Sequence, residues 1–432
     1  MKKYSPLGVK RDSKTPKQVF MKQVITTDFF STLDFELFKK SILALLGFGD
    51  YKNSQEKSLK SLENYLGIER TNMSFFLNAR SAMYHTLKSQ EVGPGDEVII
   101  TGWNCVSVVN LILQTGAVPV FADIYSESFS LSLESVEKKI TLNTKAIILQ
   151  ETFGMPIQDF DKIIQYCKQK DIYIVADGAH SFGNSILQDI DAHVYSFGRD
   201  KVISSVSGGL LVFSKNVPEY FRNMKLQNIS NKQVRKHLYY NIFGYLALKT
   251  YGVFGVGKVI MLLARKFQLF PEILSKSEKK CDFNDFNFVY PKKLFLILKI
   301  ELSNYKKVEL HRKEITNIYI NGLEKSRMFA LPEGLHGGNY FRIPLILQDK
   351  DLRVELLHFM KQHNMYLGSQ WSGGTICPIG SEIQGLEKST PIASTFAQKT
   401  VFLPNHRNVS EKDAVKILEL LQKFEEKHVK NI

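Results

Sequence analysis

Cysteine is scarce in this chain. Four residues in 432, Cys105, Cys167, Cys281 and Cys377, stand far apart with no C-x-x-C pair, which excludes a cysteine zinc site and a disulfide framework. Cys167 falls in a helical pattern and is expected in the core. The chain also lacks internal repeats and low-complexity tracts. Its first residues, MKKYSPLGVKRDSK, are basic but carry no apolar run and no small-residue cleavage site. That argues against a signal peptide and predicts a reduced, cytoplasmic setting. The formal net charge is +14, yet the lysines are dispersed and no nucleic-acid-binding motif accompanies them. The charge therefore reads as a solvated basic surface, or as attraction to phosphorylated ligands or an anionic membrane.

What is present is a large apolar fraction, 44% of residues with 12% aromatics, enough for a globular core. After two short helical patterns, FELFKKSILALLGF and QEKSLKSLENYLGI, strands and helices alternate from MSFFL at residue 73 to IYIVADGAH ending at residue 180. Short Val- and Ile-rich strands separated by helices predict an α/β fold with a mostly parallel sheet covered on both faces. From Pro291 a long helix, then a strand, a helix and a closing strand-turn-helix predict a smaller C-terminal α+β domain. The expected division is 1–70 as an arm with short helices, 71–290 as a large domain, and 291–432 as the small one.

Residues 217–285 interrupt the alternation. HLYYNIFGYLALKTYGVFGVGKVIMLLARKFQLF is strongly apolar but is broken by Lys249, Lys258 and four glycines, which disfavours a membrane span of about 20 apolar residues. Two helices packed on the body or across a dimer are expected. A pair resting on a membrane surface is the other reading.

The stretch SFGRDKVISSVSGGLLVF places Lys201 on a turn between two apolar strands. Asp177 and His180 also fall at strand ends, where open α/β sheets bind ligands. Each alone has a plain structural explanation: a surface lysine, a capping aspartate, a buried histidine. Together with GPGDEVIITGWNCVSVVNLILQTGAVPVFADI, TKAIILQETFGMPIQDFDKI, IYIVADGAHSFG and FLPNHRNVSEKDAVKIL, in that order, the pattern resembles the DegT/DnrJ/EryC1/StrS sugar aminotransferases.

The resemblance implies the type I fold of pyridoxal 5'-phosphate (PLP) enzymes. It makes Lys201 the Schiff-base lysine and proton shuttle. Asp177 becomes the carboxylate facing the pyridinium nitrogen, and His180 the residue orienting the ring near its hydroxyl. Ala79, Arg80 and Ser81, at the start of a helix, and Ser196 would hold the phosphate. No metal is implied. Three departures accompany the match. Ala79-Arg80 stands where the family usually has Gly-Thr. Cys105 stands at the ring-stacking aromatic position, with Trp103 two residues earlier, so either faces the ring. Phe288, beside Asn287, stands where the family has an Asn reaching into the neighbouring subunit.

Family dehydratases replace the lysine with His, so Lys201 favours transamination. The implied reaction moves an amino group, with glutamate as the expected donor, onto a keto group of a nucleotide-linked sugar, in a homodimer and without nucleic acid. Dehydration, a cyclitol or lipid-linked acceptor, and an inactive regulatory or scaffold role are the alternatives. For residues 217–285 contact with an apolar partner is the alternative to packing on the body or across the dimer: a membrane surface, a lipid-linked acceptor or a second protein, peripheral to the inner membrane face in the first case.

Overall fold

The computed structural model describes residues 24–27, 29–183, 189–215, 217–336, 338–369, 374–378, 380–381 and 389–429. The basic stretch MKKYSPLGVKRDSK lies outside them.

Seven short strands build the main sheet. They are β1 (Met73–Phe76), β2 (Glu97–Thr101), β3 (Val118–Ala122), β4 (Thr144–Gln150), β5 (Tyr173–Gly178), β6 (Ala192–Ser196) and β7 (Gly209–Phe213). The spatial order is β1-β7-β6-β5-β4-β2-β3. Strands β2 to β6 run parallel, and β7 is antiparallel to both of its neighbours. Such strands are buried on both faces, which is why they read as nearly continuous Val and Ile.

Helices α1 (Phe35–Leu45) and α2 (Tyr51–Leu66) precede the sheet. On one sheet face, α3 (Ala79–Ser89) and α4 (Val106–Thr115) pack Met83, Leu87, Leu111 and Ile112 onto Val98, Ile148 and Val175. On the other face, α5 (Leu133–Lys139) and α6 (Phe160–Gln169) set Val136, Ile163 and Cys167 against Ile99, Ile147 and Ile174. Cys167 is fully buried there, and burial pushes its thiol up to about 12, so it is inert core. Asn104–Cys105 form a two-residue strand pairing with Ile376–Cys377, not the helix start that the sequence suggests. The Asn104 N–H is drawn out by the Thr375 carbonyl at 3.0 Å, so a long-range pairing overrides the local pattern.

Residues 217–285 supply α7 (Asn231–Thr250), opened by a Ser230/Gln233 capping box, and α8 (Val256–Lys266). Helix α7 packs on α1 and on α8. No helix among the described residues is long and apolar enough to cross a membrane.

The 29-residue helix α9 (Phe295–Leu323) lies against α2 and leads into a three-stranded antiparallel sheet. This sheet comprises β8 (Phe329–Ala330), β9 (Ile343–Leu347) and β10 (Thr400–Leu403). Helices α10 (Leu352–Gln362), α11 (Pro391–Lys399) and α12 (Glu411–Val429) complete this part. The N-terminal segment is laced to it. Ile25–Thr26 pair with Met365–Tyr366. The Thr27 hydroxyl donates to the Phe402 carbonyl at 2.8 Å. The Asn408 amide reaches the Phe30 and Leu33 carbonyls.

Candidate active site

Asp177 ends β5, level with Gln150 of β4 and Val194 of β6. This is the carboxyl edge of the parallel strands. Its carboxylate accepts from the Ala179 N–H at 3.0 Å. Burial nevertheless pushes its carboxyl up to about 6, opposed by the Ala179 N–H and the nearby Lys201 charge. Behind it, Glu151 and His193 lie 3.2 Å apart, both buried, with the Tyr195 hydroxyl 3.2 Å from the other nitrogen of His193. Both Glu151 and His193 act electrostatically on Asp177.

Lys201 sits on a turn closed by its own N–H to the Gly198 carbonyl at 3.0 Å. The loop is tied down again where the Ser204 N–H donates to Glu301 of α9 at 3.2 Å, and Glu301 is held in turn by Arg407 at 2.8 Å. Burial pulls the Lys201 ammonium below its usual range, with Asp177 opposing. A larger fraction of neutral amine is what a nucleophilic lysine needs.

His180 follows Asp177 by three residues. Its Nδ1 accepts from the Phe153 N–H at 3.3 Å. Burial, with Lys201 and Arg342 beside it, holds the imidazole well below its usual range. Under it, Gly154 adopts φ +82°, and a Cβ there would come within 2.8 Å of the His180 carbonyl oxygen. Glycine is therefore required at this turn. The fold thus brings Asp177, His180 and Lys201 within electrostatic reach of one another.

The remaining sequence-predicted residues fall as follows. Ala79, Arg80 and Ser81 open α3, whose N-cap Asn78 accepts from the Ser81 N–H and hydroxyl at 2.9 and 3.0 Å. Gly209 of β7 abuts this turn, and a Cβ there would lie 2.4 Å from the Asn78 carbonyl carbon. The Arg80 guanidinium pairs with Glu278 and donates to the Ile273 carbonyl. Ser196 ends β6, and its hydroxyl accepts from the Gly198 N–H at 3.3 Å. Cys105 is half-buried and acts electrostatically on both Lys201 and Arg80. Trp103 is fully buried, edge-on to Phe129 and Phe153. Of the two residues considered for the ring face, Cys105 is the one within electrostatic reach of Lys201.

These positions can be tested against a PLP-like ligand. A buried carboxyl with a raised pKa gains from a cationic ring nitrogen, and a buried amine with a lowered pKa suits an aldehyde. At the phosphate end the N-terminus of an eleven-residue helix offers N–H groups and a favourable dipole. There the Ser81 hydroxyl is engaged by Asn78 and Arg80 by Glu278, so Ser196 and the helix backbone are the remaining handles. The donor set fits. Among the described residues no cluster of metal-ligating side chains occurs.

Residues 48–247 match the family model of the DegT/DnrJ/EryC1/StrS aminotransferase family. The match takes in somewhat under half of the chain and makes this segment similar to that family. The segment holds every residue singled out above from Ala79 to Lys201. GDP-perosamine synthase of Escherichia coli O157:H7 is 29% identical over 174 residues, 39% of this chain and 47% of that protein. The chain thus spans about half the length of this curated relative. Two solved aminotransferases cover nearly all of it. TlmJ of Streptoalloteichus hindustanus is 19% identical, with TM-score 0.67 over 93% of this chain and 98% of that one. The PLP form of the Streptococcus pneumoniae protein Spr1654 is 19% identical, with TM-score 0.65 over 94% and 99%. Likeness at this level shows the fold, that of the type I PLP-dependent transferases.

Within this DegT/DnrJ/EryC1/StrS fold, the C-terminal part contributes residues that sequence reading passed over. Phe341 stacks on His180 with ring centroids 4.4 Å apart, and the Lys201 Nζ lies 4.8 Å from the centre of the same ring. The Arg342 guanidinium lies 4.5 Å from the Phe341 ring centre and is itself buried. An aromatic-Arg pair just before the apolar run IPLIL was the available signal, but nothing local ties it to Lys201.

Proposed function

We propose that this protein is a PLP-dependent aminotransferase that moves an amino group from glutamate onto a keto group of a nucleotide-linked sugar. The observation that carries the reading is the buried, pKa-lowered Lys201 amine placed with Asp177 and His180 at the carboxyl edge of the parallel strands. Support comes from the family match and from relatives named for sugar amination, GDP-perosamine synthase among them.

When bound, PLP supplies an aldehyde that condenses with amines and a ring that takes up electrons from the substrate carbon. Lys201 would hold the aldehyde carbon, and its Nζ would be the group that carries the proton. Asp177 keeps the ring nitrogen protonated. His180, neutral and fixed by the Phe153 N–H, orients the ring from the side it shares with Phe341. Ser196 and the N-terminus of α3 hold the phosphate. The Phe341 ring, beside both His180 and Lys201, would wall one side of the site. In this reading residues 71–290 form the large domain, 291–432 the small one, and two copies pair so that their sites lie near the boundary.

The test is borohydride reduction of the PLP-treated protein followed by peptide mapping, with keto-sugar nucleotides then screened by mass detection. Label on Lys201, loss of yellow colour with glutamate, and an aminated sugar are expected. Label on another lysine, or a protein that takes up no PLP, overturns the assignment.

A further inference from the structure

Helix α8 is built with its large side chains outward. The side facing α7 carries small residues: Gly257, where a Cβ would meet the Ala247 carbonyl oxygen at 2.2 Å, and Ala264, which is 1% exposed. The opposite side presents Val256, Val259, Leu262, Leu263 and Phe267, with Phe254 on the preceding turn. Leu262 and Phe267 are 65% and 64% exposed, and Phe254 is 80% exposed. On a soluble surface that order is reversed, since large apolar groups belong in the packing seam. A contiguous apolar face of this kind marks a contact surface.

Charge says what contacts it. From Tyr220 to Pro271 the chain has nine Lys and Arg residues and no Asp or Glu. On α8, Lys258 and Arg265 border the apolar side and Lys266 lies within it, all three exposed. Lys249, near the end of α7, adds to the same region. Exposed apolar side chains, a basic border, no local acid and a helix too short to span are the properties of a helix lying in a bilayer interface. A face made for a second copy would have to bury this unbalanced positive charge against itself, at a cost in repulsion.

We propose that α8 and its preceding turn dock the protein on an anionic lipid bilayer, seating Phe254, Leu262, Leu263 and Phe267 at the headgroup boundary with Lys258, Arg265 and Lys266 on the lipid charges. This inference stands independently of the reaction catalysed.

The experiment is flotation of the full chain with vesicles of phosphatidylcholine alone or with 30% phosphatidylglycerol, at low and high salt. Light scattering of each protein in parallel gives its oligomeric state. The protein is expected to float with the anionic vesicles and to be released by salt. Lys258→Gln/Arg265→Gln/Lys266→Gln should weaken binding on the order of 100-fold. Leu262→Gln/Leu263→Gln/Phe267→Gln should abolish it while circular dichroism and oligomeric state stay unchanged, because these side chains are exposed. Failure of the wild type to float overturns the proposal, as does flotation that neither variant weakens. If the apolar variant instead lowers the oligomeric state and the wild type ignores vesicles, the face joins copies of the chain and the proposal is wrong.

Discussion

The His180 imidazole and the Phe341 ring lie face to face, 4.4 Å between centroids with planes 10° apart, although one follows the large sheet's central strand and the other precedes a strand of the small sheet. The contact is reinforced by the Phe341 N–H donating to the Phe153 carbonyl at 2.8 Å, directly beside the turn that fixes His180. One side of the candidate site is therefore set by the C-terminal part of the chain.

Phe341→Ala removes that wall. The side chain is buried, so the truncation should cost about 3–5 kcal/mol in urea unfolding, and Phe341→Leu clearly less. A loss under about 1 kcal/mol for the alanine variant would show that the ring is not packed as described.

Asp177→Asn should change stability in a pH-dependent way. The folded carboxyl is raised to about 6 from an ordinary 3.8. Its stabilising contribution is thus complete below pH 3.8 and is lost as pH climbs through 6. The amide stays neutral throughout. Free of PLP, the variant should match the wild type near pH 4 and exceed it by roughly 3 kcal/mol at pH 8, while turnover collapses. Thermal melts across that range decide it, and a difference that does not vary with pH refutes the raised pKa.

Arg407→Met should strand Glu301. The Glu301 side chain is fully buried, and Arg407 also reaches Asp34 at 3.0 Å. Removing one partner of such a pair costs about 3–5 kcal/mol, and adding Glu301→Gln should return a good part of it. Because Glu301 also holds the Ser204 N–H, the single variant should slow PLP capture by Lys201 as well. Capture at the wild-type rate would separate the ion pair from the lysine loop.

Gly209→Ala places a methyl 2.4 Å from the Asn78 carbonyl carbon, and backbone cannot yield as a flexible side chain does. The N-terminus of α3 must shift. PLP affinity, read by absorbance titration, should fall at least about tenfold while far-ultraviolet dichroism is retained, since phosphate contacts tolerate little displacement. Unchanged affinity would place the phosphate elsewhere.

The parallel sheet was legible because doubly buried strands are written as Val and Ile runs; Asp177, His180 and Lys201 were singled out because they fall at or after strand ends in blocks that resemble a known family. Phe341 and Arg342 were not, since their neighbours in space lie far off in sequence. The Asn104–Cys105 strand was hidden for the same reason: its partner is Ile376–Cys377. The surroundings of Trp103 were hidden likewise: Phe129 and Phe153 enclose it, and both lie far off in sequence.

The lacing of residues 25–33 onto the C-terminal part has a consequence for how the protein is made. Thr27 and its acceptor Phe402 are 375 residues apart. At about 5–20 residues per second, a ribosome releases the first about 20–75 s before the second. Throughout that interval Thr27 has no acceptor, and Ile25 waits on its pairing with Met365, whereas Phe30 and Leu33 can already pack on Val206, Tyr240 and Ala247. The bond from Thr27 therefore waits on the synthesis of Phe402. A chain cut before residue 400 leaves that segment without its bonds to Phe402 and Asn408, though its packing on Val206, Tyr240 and Ala247 remains.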